Sequence, residues 1–209
     1  NYRGIEYGKN FGPQSGGVER LKEQIREELR RLTQGKRIDY VRMGLLDDAR
    51  QLVSYGADDY TGSYQRMKKD IETILSVLKE FDIKLHLTLF DYLAVSSGRF
   101  AMTKAEVDLF VEQFLKPFLS DFGSRKTLAA VELINEPEWI LPYSNERGGV
   151  GSLIAKKRAI SYDQYDYFVA TLSGAIRQAN HDLKRERDLR VTIGASITRH
   201  RVATAPQVR

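Results

Sequence analysis

Short apolar runs alternate with longer amphipathic segments along this chain. The short runs are rich in Val, Ile and Leu, as strands of a buried parallel sheet are, whereas the longer segments repeat their apolar residues at helical spacing. The runs predict strands within 4–12, 38–46, 83–90, 128–134 and 189–195. The amphipathic segments predict helices over 18–34, 64–81, 103–118 and 161–188. Such a regular alternation of strand and helix is typical of a parallel α/β architecture.

The predicted fourth strand ends in a distinctive polar sequence. Residues 128–134 are apolar except for Glu132. They are followed directly by Asn135, Glu136 and the sequence Pro-Glu-Trp at 137–139. In a parallel barrel, catalytic residues lie at the C-terminal ends of strands. A Glu between an amide and an indole suits chemistry on a sugar. The carboxyl group transfers protons, the amide holds a hydroxyl group, and the indole offers a flat apolar face.

The motif Glu-Leu-x-Asn-Glu-Pro at the end of a strand resembles the fourth-strand signature of clan A glycoside hydrolases, most closely the cellulase-like and mannanase-like enzymes of glycoside hydrolase family 5. The motif lies on the fourth strand of this chain, as it does in that clan. The resemblance implies that Glu136 is the general acid/base of an O-glycosyl hydrolase and that Asn135 binds the sugar 2-hydroxyl. It also implies a TIM-barrel type of (β/α)8 fold.

An arginine lies inside the predicted second strand. An unpaired Arg in such an apolar segment is costly. We therefore expect Arg42 to meet a carboxylate, either Glu132 or Glu136. Such a pair ties two strands together, and the resemblance adds a functional interpretation, since the second strand of the family carries an Arg close to the acid/base.

Polar and aromatic residues follow other predicted strands and extend the candidate substrate-binding set. Loops at this end of a barrel carry specificity. Beside Asn135 and Arg42, the candidates are Asn10, Asp91, Tyr92, Trp139 and Tyr143.

His86 stands apart from this set. It lies several residues before the end of the third strand, where Phe90 and Asp91 occupy the tip that often carries a His in family 5. We interpret His86 as a core histidine with satisfied hydrogen bonds rather than as a catalytic base.

Composition narrows the function classes. The chain has 33 Lys and Arg against 28 Asp and Glu, no Cys, and 42% hydrophobic residues. The basic residues are interspersed with acidic ones, which indicates a solvated surface and no nucleic-acid partner. No apolar stretch approaches the roughly 20 residues of a membrane helix, so we expect no membrane partner. The chain begins at Asn1 rather than Met, and a removed signal peptide leads us to expect a secreted or periplasmic protein.

The number of predicted strands falls short of a whole barrel. A (β/α)8 barrel has eight strands and about 250 residues, whereas five strands are predicted in this chain of 209 residues. We expect residues 1–209 to be a single catalytic-type domain that forms the N-terminal part of a barrel, strands 1 to 5 of 8. A second chain or a missing C-terminal segment would complete the barrel. In the clan the nucleophile is a Glu on the seventh strand, which places it beyond Arg209.

Three functional hypotheses follow. The first is a retaining hydrolase of a β-linked oligosaccharide or polysaccharide, of the endo-β-glucanase or β-mannanase type, which needs no metal or organic cofactor. The second is a non-catalytic glycan-binding protein that retains part of the barrel cleft. The third is an unrelated α/β enzyme in which the Asn-Glu-Pro sequence is fortuitous.

Overall fold

The predicted strands come together in one parallel sheet. The computed structural model describes residues 5–6, 18–50, 52, 59–141, 160–184 and 188–194. Within these ranges the strands are β1 (Ile5–Glu6), β2 (Tyr40–Asp47), β3 (Lys84–Asp91), β4 (Leu128–Asn135) and β5 (Arg190–Thr192). Each strand pairs in parallel with the next one along the chain, in the order β1-β2-β3-β4-β5. This consecutive order belongs to the wall of a barrel, because a doubly wound sheet reverses its strand order at a switch point.

Helices separate the strands, as the amphipathic segments predicted. They are α1 (Val18–Thr33), α2 (Tyr60–Glu80), α3 (Tyr92–Ser96), α4 (Lys104–Phe110), α5 (Lys116–Phe122) and α6 (Tyr162–Asp182). The short helix α3 was not predicted. Of the helices that the structure describes, none combines the length and the apolar character that a membrane crossing requires.

Side-chain caps set where two helices begin. The Asp59 carboxylate accepts a hydrogen bond of 2.7 Å from the Gly62 N–H, so α2 begins four residues before its predicted start. A capping box begins α6, because Ser161 and Gln164 each accept a hydrogen bond from the other's backbone N–H.

A π-helical segment, Val111–Leu115, joins α4 to α5. Pro117 follows it and explains it, because proline has no N–H and its ring clashes with the carbonyl four residues earlier. The Lys116 N–H instead donates to the Val111 carbonyl, five residues back. The wider turn lets one helical rod continue past the proline.

An aromatic cluster fixes the end of β3 against the helices. Phe90 stacks on Phe100 with ring centroids 4.5 Å apart, and Phe110 lies 5.0 Å from Phe90. Phe168 of α6 contacts both Phe90 and Phe100 at their edges. All four rings are fully buried. This packing holds the C-terminal tip of β3 in place, where Asp91 and the start of α3 follow.

Candidate active site

Arg42 and Glu132 form an ion pair across three strands of the sheet. Arg42 Nε donates to Glu132 Oε2 at 3.0 Å, and Arg42 Nη2 donates to Glu132 Oε1. The Glu132 side chain is only 4% exposed, whereas that of Arg42 is 48% exposed. The expectation that Arg42 meets one of the two glutamates is confirmed, and the partner is Glu132.

His86 completes the surroundings of Glu132. Its Nε2 lies 3.2 Å from Glu132 Oε2 and 3.0 Å from the hydroxyl oxygen of Thr192 on β5. Burial favours the neutral form of Glu132, but hydrogen bonds from His86 and Arg42 outweigh it and hold the pKa of this carboxyl below its ordinary value. Glu132 is therefore an anion at neutral pH.

The prediction that His86 has satisfied hydrogen bonds is confirmed, whereas its predicted place in the core needs correction. His86 is half-buried and belongs to the polar cluster rather than to the apolar core. His86 is the register partner of Arg42, and register partners in a parallel sheet point to the same face.

Asn135 lies between a cation and an anion. Its Oδ1 accepts from Arg42 Nη2 at 2.8 Å, and its Nδ2 donates to Asp91 Oδ2 at 2.7 Å. Asp91 Oδ1 accepts from the Leu93 N–H at 2.9 Å and thereby caps α3. A chain of polar contacts thus runs from Arg42 within β2 to the ends of β4 and β3.

Burial raises the pKa of Asp91 above its ordinary value, although the hydrogen bonds from Asn135 and Leu93 oppose that effect. The negative charges of Asp47 and Glu136 raise it further. Asp91 was predicted to contact substrate. Each of its carboxylate oxygens accepts one hydrogen bond within the protein, and the contact with substrate stays a prediction.

Glu136 sits at the strand end in a left-handed backbone conformation, with φ 51° and ψ 49°. This conformation is unfavourable for a residue with a side chain. It occurs at functional sites, and in the described part of this chain it also occurs at five other residues, Asp47, Ala49, Asp82, Met102 and Lys184. The 3-10 turn Pro137–Trp139 follows, and the indole Nε1 of Trp139 donates to Glu136 Oε2 at 3.1 Å. The turn thus sets the direction of the carboxyl group.

Tyr92 and Trp139 form an aromatic pair beside Glu136. Their ring centroids are 6.0 Å apart and their planes are inclined by 31°. Both side chains are partly exposed. The structure therefore brings Asn135, Asp91, Glu136 and this pair to one end of the sheet, and the Arg42 side chain reaches Asn135 from within β2.

Glu138 belongs to the interior. It is 4% exposed. Burial raises the pKa of Tyr165 on α6, and the negative charge of Glu138 raises it further.

Two of the predicted substrate contacts, Asn10 and Tyr143, lie outside the described residues. In the described part of the chain, no group of three or more His, Cys, Asp or Glu is placed to hold a metal ion.

Gly194, just after β5, lets the backbone lie close to this cluster. Its N–H donates to the Ile134 carbonyl at 2.9 Å. A Cβ at this position would lie 2.6 Å from Glu132 Oε1 and 3.0 Å from Asn135 Oδ1. These atoms cannot move aside cheaply, because Arg42 holds both. Only glycine fits between the end of β5 and the carboxylate.

We therefore expect Gly194→Ala to lower the free energy of unfolding by about 1–3 kcal/mol, the usual cost of overpacking. Urea denaturation measures this loss. Gly44→Ala is the matched control, because Gly44 also lies in the sheet and a Cβ there meets nothing within 4 Å. Equal losses in the two variants would contradict a specific role for Gly194.

No family model and no curated protein sequence matches this chain. Solved structures do match it. The endo-1,4-β-mannanase of Eisenia fetida is 19% identical, with a TM-score of 0.64 over 90% of this chain and 54% of that one. The β-1,4-mannanase of Aplysia kurodai is 16% identical, with a TM-score of 0.68 over 91% of this chain and 59% of that one.

A β-glucosidase of Thermotoga maritima also matches, at 16% identity and a TM-score of 0.52, over 90% of this chain and 41% of that one. The chain thus spans little more than half the length of the mannanases it resembles. The identities are low, so these matches establish the fold and not the activity. The consecutive parallel strands and these matches agree: the chain has part of a (β/α)8 barrel, the fold of the glycosidases to which it is similar.

Proposed function

We propose that this protein hydrolyses a β-linked glycan with retention of configuration and that Glu136 is the general acid/base. The observation that carries the proposal is the position of Glu136. It stands at the C-terminal end of β4 in a strained left-handed conformation, next to the Arg42–Asn135–Asp91 chain. A carboxyl group at this end of a barrel strand is where proton transfer to a glycosidic oxygen takes place in this type of fold.

The neighbours of Glu136 supply the other interactions that a sugar needs. Asn135 binds the 2-hydroxyl of the sugar, and Arg42 orients Asn135. Tyr92 and Trp139 give the sugar an apolar face to stack on. The mannanases among the similar structures favour a β-mannan or a related β-glucan as substrate. An extracellular or periplasmic location of the protein suits an enzyme that acts on such a polysaccharide.

The nucleophile is the part of the mechanism that the described residues do not supply. A retaining enzyme places two carboxyl groups about 5–5.5 Å apart. Glu132 is engaged by Arg42 and His86, and Asp91 by Asn135 and Leu93. The resemblance to clan A implies a nucleophile on a seventh strand, and we assign it there, beyond Arg209 or in a second chain that completes the barrel.

The test is hydrolysis of aryl β-glucosides, aryl β-mannosides and the matching oligosaccharides by the full-length protein. The configuration of the first-formed product is read by NMR. Release of a β-configured sugar supports the proposal, and release of an α-configured sugar refutes retention. Absence of both turnover and glycan binding would refute a sugar-directed function.

The second candidate is a non-catalytic glycan-binding protein. The observation in its favour is that the described carboxylates Glu132 and Asp91 are both committed to contacts within the protein. Calorimetry with mannan and glucan oligosaccharides distinguishes the two candidates, because this one requires binding without turnover.

A further inference from the structure

The side-chain amide of Asn135 is held in one of its two possible orientations. Its oxygen accepts from the Arg42 guanidinium at 2.8 Å, and its nitrogen donates to the Asp91 carboxylate at 2.7 Å. The flipped amide would place nitrogen against a group that only donates and oxygen against a carboxylate that only accepts. Both contacts would then become repulsive, so Arg42 and Asp91 together exclude the flip.

The fixed orientation determines what Asn135 offers to a ligand. An amide nitrogen carries two hydrogens, and one of them is used by Asp91. Asn135 is only partly buried. On the nitrogen side the second N–H is left for a ligand; it is a donor and requires an acceptor such as a hydroxyl oxygen.

We propose that Asp91 is a positioning residue that holds the Asn135 amide with an N–H toward the cleft and thereby selects ligands with a hydroxyl oxygen at that place. This inference deepens the proposed function and rests on it for the identity of the ligand as a sugar. It changes the role predicted for Asp91, since the carboxylate acts through Asn135 and does not touch the substrate.

Protonation of Asp91 can report on its contact with Asn135, because charged groups surround the Asp91 carboxylate. Asp47 at the end of β2 and Glu136 after β4 face it with negative charge, and Arg42 reaches it through Asn135. Burial and these two anions raise the pKa of Asp91 above the ordinary Asp value. Leu93 and Asn135 each donate to one carboxylate oxygen, so loss of the negative charge on protonation weakens the hydrogen bond from the Asn135 nitrogen.

The first experiment is a pH titration by NMR of protein labelled with ¹⁵N in asparagine only. The sequence contains five asparagines, and the Asn135→Gln variant identifies the Asn135 signals. We expect the side-chain amide of Asn135 to titrate with a midpoint above about 3.9, the ordinary Asp value. Asp91→Asn should abolish this titration, and Glu136→Gln should retain it, because the proton is on Asp91.

Helix capping is kept constant in the variants. Asn and Ser cap a helix as well as Asp does, so Asp91→Asn and Asp91→Ser retain α3. The serine is too short to hold the Asn135 amide. Asp59→Asn is the matched control, because Asp59 caps α2 through Gly62 and is not part of the cluster. It should leave the Asn135 signals and their titration unchanged.

The second experiment uses a glycoside and its 2-deoxy analogue as probes. In the full-length protein, the ratio of their kcat/KM values measures the contribution of the 2-hydroxyl contact. We expect Asp91→Ser to reduce this ratio by about 3- to 10-fold, which is the typical contribution of one hydrogen bond. Asp59→Asn should leave the ratio at its wild-type value.

The two readouts separate failure of the inference from failure of the proposed function. A titrating Asn135 amide in a protein that hydrolyses no glycoside would support the role of Asp91 and refute the hydrolase. An Asn135 amide that ignores both pH and the Asp91 variants, or an unchanged 2-hydroxyl ratio in an active protein, would overturn the positioning role.

Discussion

The Glu136→Gln variant of the full-length protein is expected to hydrolyse an aryl β-glycoside with a poor leaving group about 10²–10⁴ times more slowly than the wild type. The amide cannot give a proton to the departing oxygen. The substitution preserves the fold, because the Gln oxygen can still accept the Trp139 indole N–H. The effect is measured as steady-state kcat/KM with a series of aryl glycosides whose phenol leaving groups differ in acidity.

The pattern of that loss identifies the role of Glu136. A dinitrophenyl group departs without a proton, so its release should be the least affected step. Added azide attacks without a general base and should restore turnover by forming a β-glycosyl azide. Glu112→Gln, which changes an exposed glutamate paired with Lys116, is the control and should retain full activity. A Glu136→Gln variant of wild-type rate would exclude Glu136 as the acid/base.

Arg42→Met is expected to lower the free energy of unfolding by about 3 kcal/mol at neutral pH. Removing one partner of a buried ion pair leaves the other charge uncompensated, at a typical cost of about 3–5 kcal/mol. The lower value applies because Arg42 is half-exposed and His86 still contacts Glu132. Denaturant unfolding measures the loss, and the double variant Arg42→Met with Glu132→Leu should recover most of it.

Arg26 provides a control with the same two-point geometry at the surface. Its Nε and Nη2 each donate to one oxygen of Glu80 at 2.9 Å, between α1 and α2. Glu80 is solvated, so water replaces the arginine and Arg26→Met should cost far less. Losses of equal size in the two variants would show that burial of Glu132 does not matter.

The effect of Arg42→Met should also depend on pH in one direction. The pKa of Glu132 in the folded protein lies below its ordinary value of about 4.3. Its carboxylate therefore stabilises the fold above that pH, and the contribution is lost as pH falls through the folded pKa. The difference in the free energy of unfolding between wild type and Arg42→Met should be largest near pH 7 and should shrink as the pH falls through the folded pKa of Glu132.

Much of the fold could be predicted because it depends on periodicity. Helical spacing in α1 and the apolar runs of β2, β3 and β4 are local patterns, and the structure confirms them within a few residues. The exceptions have local chemical causes. Asp91 caps the unpredicted helix α3, and Pro117 explains the π-helical segment.

The candidate site was predicted only in part. The polar sequence after β4 and the isolated Arg42 stand out in apolar surroundings, so both were found. His86 and Gly194 were missed as members of the cluster, because their significance lies in what they touch. A histidine in a strand and a glycine near a strand end are common in any sequence.

Residue order alone determined the number of strands, their parallel arrangement and the end of the sheet at which polar groups collect, since these follow from alternating hydrophobicity and from strand direction. The contacts themselves depended on the tertiary structure. Glu132 and Asn135 are three residues apart and would face opposite sides of a regular strand, yet both bind Arg42. The strand ends at Asn135 and turns through the left-handed Glu136, and a long guanidinium from β2 reaches both side chains. These contacts depend on how β2, β3 and β4 are placed relative to one another, which only the tertiary structure decides.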